Sequence, residues 1–201
     1  MKALILVDIQ NDFLPGGTLA VEHGDDIISL VNQIQSKFDI VVASQDWHPE
    51  NHASFAGNHN AKNVFDVIQL NGQDQVLWPN HCVQGTHGAA FSSDLNTDAV
   101  AAIFRKGMNK NVDSYSAFFD NNKTQHTGLE AYLKSMKVTE VYVCGLAADY
   151  CVYFTAKDAQ NLGFKTYYIT DTTRYISKDV YNNAILDLKQ HGVTILTSAD
   201  I

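Results

Sequence analysis

The chain has 201 residues, 45% of them hydrophobic and 18% charged, and carries a formal net charge of −8 at pH 7. That length and apolar content suffice for one well-buried core, and the acidic balance excludes a broad basic face for a phosphate backbone, so nucleic acid is not an expected partner. Three cysteines, at positions 82, 144 and 151, are an odd number that excludes a disulfide scaffold and suits a reducing cytoplasm.

The first predicted element is a strand over Ala3–Val7, an apolar run too short for a signal peptide and closed by Asp8. Helical spacing of Ile27, Ile28, Val31, Ile34 and Phe38 predicts a helix over Asp25–Phe38, followed by a strand at Ile40–Ala43. Gln45–Phe91 is long, rich in His, Asn and Gly, and holds both tryptophans; it reads as a functional loop region. A strand at Ala101–Phe104 leads into a polar, aromatic-dotted loop, Lys106–Asn122, and then a helix over Thr127–Met136. Next come a strand at Val141–Cys144, a helix over Tyr150–Leu162 stopped by Gly163, a strand at Thr166–Ile169, a helix over Asp179–His191 stopped by Gly192, and a strand at Val193–Leu196. No repeat, linker or span of about 20 apolar residues interrupts this rhythm. Residues 1–201 therefore read as a single α/β domain, an open six-stranded parallel sheet of Rossmann-like type with helices on both faces and strands apolar on both sides.

In such sheets ligands bind beyond the carboxyl ends of the strands. Asp8 ends the first strand, Asp46 and His48 follow the second, Lys106 ends the third, and Gly145–Cys151 joins the fourth to a helix. Cys151 in a first helical turn sees free backbone N–H groups and the positive end of the helix dipole, which favour a thiolate nucleophile; the alternative is a small buried hydrophobe. Cys144 inside an apolar strand fits that alternative, and Cys82 reads as packing beside His81. A carboxylate such as Asp8 needs a partner if it is buried, and Lys106 is the available cation unless it is a solvated loop lysine. Asp46 and His48 alternate on extended chain, with His52 and His81 further on; one carboxylate and several imidazoles suit Zn, Fe or Mn, whereas scattered loop histidines are the alternative.

Taken together, Val7-Asp8-Ile9-Gln10-Asn11-Asp12-Phe13, Asp46-Trp47-His48-Pro49, Trp78-Pro79-Asn80-His81-Cys82-Val83, Lys106-Gly107, Asp113-Ser114-Tyr115-Ser116-Ala117-Phe118 and Gly145-Leu146-Ala147-Ala148-Asp149-Tyr150-Cys151-Val152 resemble the nicotinamidase branch of the isochorismatase-like cysteine hydrolases over the whole chain. The resemblance implies that family's hydrolase fold and a cytoplasmic enzyme of NAD salvage that converts nicotinamide to nicotinate and ammonia and also accepts pyrazinamide. It implies Cys151 as nucleophile, Asp8 as proton carrier and Lys106 as the group that holds both ionised. It further implies one divalent metal, zinc before iron or manganese, on Asp46, His48 and His81, with the substrate's ring nitrogen as a ligand and His52 as a weaker ligand, direct or through water. Phe13 and Trp78 would sandwich the ring, with Tyr115 a further substrate contact. A cis peptide before Ala147 would set its N–H beside that of Cys151 as an oxyanion hole.

The rival within the family is a metal-free carboxamide or carbamoyl hydrolase. Outside enzymes, a silent binding protein on the same fold is disfavoured by the intact Asp8, Lys106 and Cys151, and a redox sensor by the lack of a C-x-x-C pair. A small molecule is the expected partner; no membrane is, and homo-oligomerisation stays open.

Overall fold

A computed structural model describes the chain from Met1 to Ile201. In chain order its strands are β1 (Lys2–Val7), β2 (Ile40–Asp46), β3 (Val67–Leu70), β4 (Gln73–Val76), β5 (Val100–Lys106), β6 (Glu140–Gly145), β7 (Lys165–Thr173) and β8 (Thr194–Leu196). The helices are α1 (Ile28–Ile34), α2 (Leu129–Ser135), α3 (Cys151–Asn161) and α4 (Lys178–Gln190). Six strands make one sheet in the order β5-β2-β1-β6-β7-β8, parallel at every pairing. This is the open six-stranded sheet that the alternating apolar runs predict.

Side-chain alternation along the strands builds two cores. Leu4, Leu6, Val41, Ala43 and Cys144 pack with α1 residues Ile28, Val31 and Ile34 on one face. Ala3, Ile5, Val7, Val42 and Val143 pack on the other with Leu133 of α2, Val152 and Ala156 of α3 and Leu188 of α4. Helices therefore cover both faces. β5 corrects the expectation of strands apolar on both sides: it lies at the sheet edge, and alternate residues along it are exposed, Ile103 by 50%.

Two further differences bear on the site. The helix expected over Asp25–Phe38 is α only at Ile28–Ile34, with tight 3₁₀ turns at Gly24–Ile27 and Gln35–Lys37; neither end has a side-chain cap, and uncapped ends tighten in this way. The long segment after β2 holds an antiparallel hairpin, β3–β4. Its two-residue turn, Asn71-Gly72, has φ of 52° and 81°, the backbone that hairpin turns demand and that Asn-Gly adopts readily.

Beyond their apolar centres, β2 and β5 continue through polar residues until Asp46 and Lys106 face each other in register. Val7 is paired on one side with Ser44 and on the other with Gly145. The carboxyl ends of β5, β2, β1 and β6 thus deliver Lys106, Asp46, Asp8 and the loop to Cys151 onto one edge.

Candidate active site

Lys106 is the centre of the arrangement. Its Nζ, 2% exposed as a residue, lies 2.9 Å from Asp8 Oδ2 and 2.9 Å from Asp46 Oδ1. It donates to the Ser114 carbonyl at 2.9 Å and approaches Cys151 Sγ at 3.5 Å. Asp8 is fully buried, and its Oδ1 accepts from the Ser44 hydroxyl at 2.7 Å. Gln10 clamps the end of β2, its amide donating to the Asp46 carbonyl and accepting from the Asp46 N–H, both at 2.8 Å.

Each charge answers to its surroundings. Burial pushes the Asp8 carboxyl above its ordinary value, and Asp46 adds to this against the opposing pull of Lys106. Burial acts the same way on Asp46, yet His48 and Lys106 hold it well below the usual carboxylate range. Lys106 is desolvated as well, but Asp46 and Asp8 keep it firmly protonated.

Cys151 opens α3, as the sequence predicts. Its thiol departs from the expected thiolate: burial pushes it well above the ordinary value, and Asp8 and Asp46 oppose the stabilising effect of Lys106. A buried thiol amid carboxylates rests as SH, so a nearby base has to take its proton. The Leu146–Ala147 peptide is cis, and the backbone N–H groups of Ala147 and Cys151 have no backbone acceptor.

Beside this cluster, Asp46 Oδ2 lies 3.0 Å from His48 Nε2 and 3.4 Å from His81 Nε2, and one ligand-type atom of each of the three residues sits within 4.8 Å of the others. His48 Nδ1 is 3.0 Å from the Gly107 carbonyl and His81 Nδ1 is 2.8 Å from the Pro79 carbonyl. A carbonyl can only accept, so each ring donates from Nδ1 and turns Nε2 toward Asp46, the nitrogen whose lone pair a metal ion would take. Burial lowers the basicity of His48, but Asp46 outweighs this and raises it overall.

His52 differs. Its Nδ1 accepts from the Ser54 N–H at 3.2 Å, which puts the proton on Nε2, and that buried Nε2 has no partner. Burial, with His48 nearby, pulls its pKa down to about 4, so the ring is neutral. One ligand-type atom of His52 lies within 4.8 Å of those of His48 and Asp113.

Gly107 makes the site possible. Its φ is +68°, and a Cβ there would lie 2.3 Å from His48 Cε1. Gly107→Ala should displace the His48 ring and strain the backbone, lowering zinc affinity at least tenfold and stability by about 1–3 kcal/mol. Chelator competition and thermal melting would measure the two effects; an alanine variant with unchanged zinc affinity would refute this role.

Phe13, Trp78, Tyr115, Ala147 and Cys151 line one narrow pocket together with Asp46 and His81. Phe13 also meets His81 edge-on, ring centroids 5.5 Å apart. The Tyr115 hydroxyl accepts from Gln75 and Trp78, at 3.1 and 3.3 Å, which fixes the position of its side chain in the pocket lining. Cys144 and Cys82 are fully buried core residues, as the sequence predicts. Residues that the sequence reading passed over include Ser44, Gln10, Gly107, Gln75 and Asp113; only Asp113, Gln10 and Gly107 lie within the recognised motifs.

A thiol at a helix start, a carboxylate and a lysine meet on the carboxyl edge of a parallel sheet, an arrangement in keeping with a hydrolase of α/β type. The Isochorismatase domain model matches residues 2–200, and the chain belongs to that family. It is 45% identical to the nicotinamidase of Escherichia coli, over 99% of this chain and 96% of that one. The solved nicotinamidase/pyrazinamidase of Acinetobacter baumanii superposes with a TM-score of 0.97 at 48% identity, covering 99% of this chain and 97% of that one. The pyrazinamidase of Pyrococcus horikoshii, solved in complex with zinc, does so with a TM-score of 0.79 at 38% identity, covering 98% of each chain. No helix of this protein is long and apolar enough to cross a membrane.

Proposed function

We propose that this protein is an amidohydrolase that converts nicotinamide to nicotinate and ammonia, accepts pyrazinamide as well, and serves NAD salvage as one domain over residues 1–201. The observation that carries the mechanism is Lys106 Nζ joining Asp8, Asp46 and Cys151 in one buried cluster. Whole-length similarity to nicotinamidases supports the substrate.

Asp46, His48 and His81 fit a divalent metal, because one carboxylate oxygen and two fixed imidazole lone pairs converge there. Zinc is the first candidate, in line with the zinc-bound relative. Bound there, it would supply a Lewis-acid anchor for the pyridine ring nitrogen, with His52 facing it through water. The remaining chemistry belongs to the chain. Phe13 and Trp78 hold the flat ring and exclude water, so the carboxamide carbon meets Cys151 Sγ. Asp8 takes the thiol proton as sulfur attacks, and the N–H groups of Ala147 and Cys151 hold the oxyanion. Asp8 then passes that proton to the leaving nitrogen; ammonia departs and a thioester remains. A water, deprotonated by Asp8, attacks the thioester; nicotinate leaves, and Asp8 returns the proton to sulfur. Its raised affinity for protons suits a carboxylate that must both take and return one.

Purified protein supplied with zinc and nicotinamide should release one ammonia per nicotinate formed, and stripping the metal with a chelator should depress turnover by a factor on the order of 100 or more. Turnover that survives complete metal removal would favour the metal-free carboxamide hydrolase.

A further inference from the structure

Asp113 is a buried carboxylate, 3% exposed, that the mechanism above does not use. It lies in the loop after β5 and lines the substrate pocket alongside Asp46 and His81. One ligand-type atom from each of Asp113, His48 and His52 lies within 4.8 Å of the other two. Its two oxygens accept from the Ser114 N–H at 2.8 Å and from the Gln75 side-chain amide at 2.9 Å. A carboxylate oxygen has room for a second hydrogen bond, so Asp113 keeps accepting capacity toward the site. In the same group, the buried His52 Nε2 is an unpartnered donor. An acceptor-bearing and a donor-bearing residue therefore lie close to His48, in addition to Asp46 and His81.

Burial supports the same placement. Asp8, Asp46 and Asp113 are all buried carboxyl groups, a setting in which negative charge is costly without a nearby cation, and a divalent ion held beside Asp113 would offset it.

Resting on the reading of Asp46, His48 and His81 as ligands, we propose that Asp113 is the outer carboxylate of the metal centre: with His52 it holds water at the metal's open positions and completes the negative charge that retains a divalent ion. It is a positioning residue, acting through the metal and its water. Gln75, within β4 of the β3–β4 hairpin, orients it by its amide without contributing charge.

The test measures zinc affinity, independent of turnover. Apo wild-type protein, Asp113→Asn, Asp113→Ser and Gln75→Leu would be titrated with zinc against a chromophoric chelator near neutral pH, with thermal melts in excess chelator to establish that each apo form is folded. Wild type should bind one equivalent. Both Asp113 variants should bind zinc roughly 10- to 100-fold more weakly, the range expected for loss of an outer-layer partner, while Gln75→Leu stays within about threefold. Asp113 variants that bind as wild type does would overturn the proposal and leave the metal reading standing, as would a Gln75→Leu loss equal to theirs, since that effect would be one of packing. A wild type that binds no zinc would overturn both.

Discussion

Cys151→Ala should yield a folded protein whose release of ammonia from nicotinamide falls by a factor on the order of 10⁴ or more, with zinc still bound. The substitution removes one buried sulfur, and Lys106 keeps its ion pairs with Asp8 and Asp46, so little stability should be lost. Cys151→Ser should be nearly as inactive, because a hydroxyl in that buried setting gives up its proton less readily than a thiol. Stopped assays for nicotinate, with melting curves and metal content on the same samples, would decide. Residual turnover above about 1% of wild type in the alanine variant would mean that another group attacks the amide.

The second large effect concerns stability. Lys106→Met keeps the aliphatic bulk but removes the ammonium shared by Asp8 and Asp46, leaving Asp8 buried without an opposing charge in the apo protein. Breaking such a cluster costs about 3–5 kcal/mol, which for a chain of this size corresponds to a fall in melting temperature of roughly 6–20 °C. The sign of its pH dependence follows from Asp8, whose proton affinity burial already raises in the wild type. Without Lys106 that affinity climbs further. A group whose folded pKa lies above its unfolded value favours the fold at low pH and loses that contribution as pH rises through the folded pKa. The deficit of Lys106→Met should therefore be smaller at pH 5 than at pH 8, in melts run with chelator. A variant as stable as wild type at pH 8 would show that Lys106 does not hold the cluster together.

The sheet was readable from sequence because parallel strands buried on both faces must be apolar throughout, and Ala3–Val7, Ile40–Ala43 and Val141–Cys144 are. Their polar extensions were not, since Ser44, Gln45 and Asp46 continue β2 only because β1 and β5 are there to pair with them. The β3–β4 hairpin pairs Val67-Ile68-Gln69-Leu70 with Gln73-Asp74-Gln75-Val76 and buries only Gln75, so hydrophobic pattern is silent about it; Asn71-Gly72 was the available signal. In the site, Asp8, Asp46, Lys106 and Cys151 could be located by the rule for strand ends. The depth of their burial could not, and it is burial that turns the expected thiolate into a resting thiol. Ser44 and Gln75 reach the site through register and hairpin placement, which a single sequence does not display.

The strand order has a consequence for how the molecule comes into being. β1 is made first, yet it lies between β2 and β6, and Val7 meets Gly145 only after more than two-thirds of the chain has been synthesised. Until then a nascent chain has β1 covered along one edge alone, and the segment bearing Cys151 is still to come. Such pairing across long stretches of chain is slow to form, so folding largely waits for the C-terminal third. Cys151 joins Asp8 only as the sheet closes.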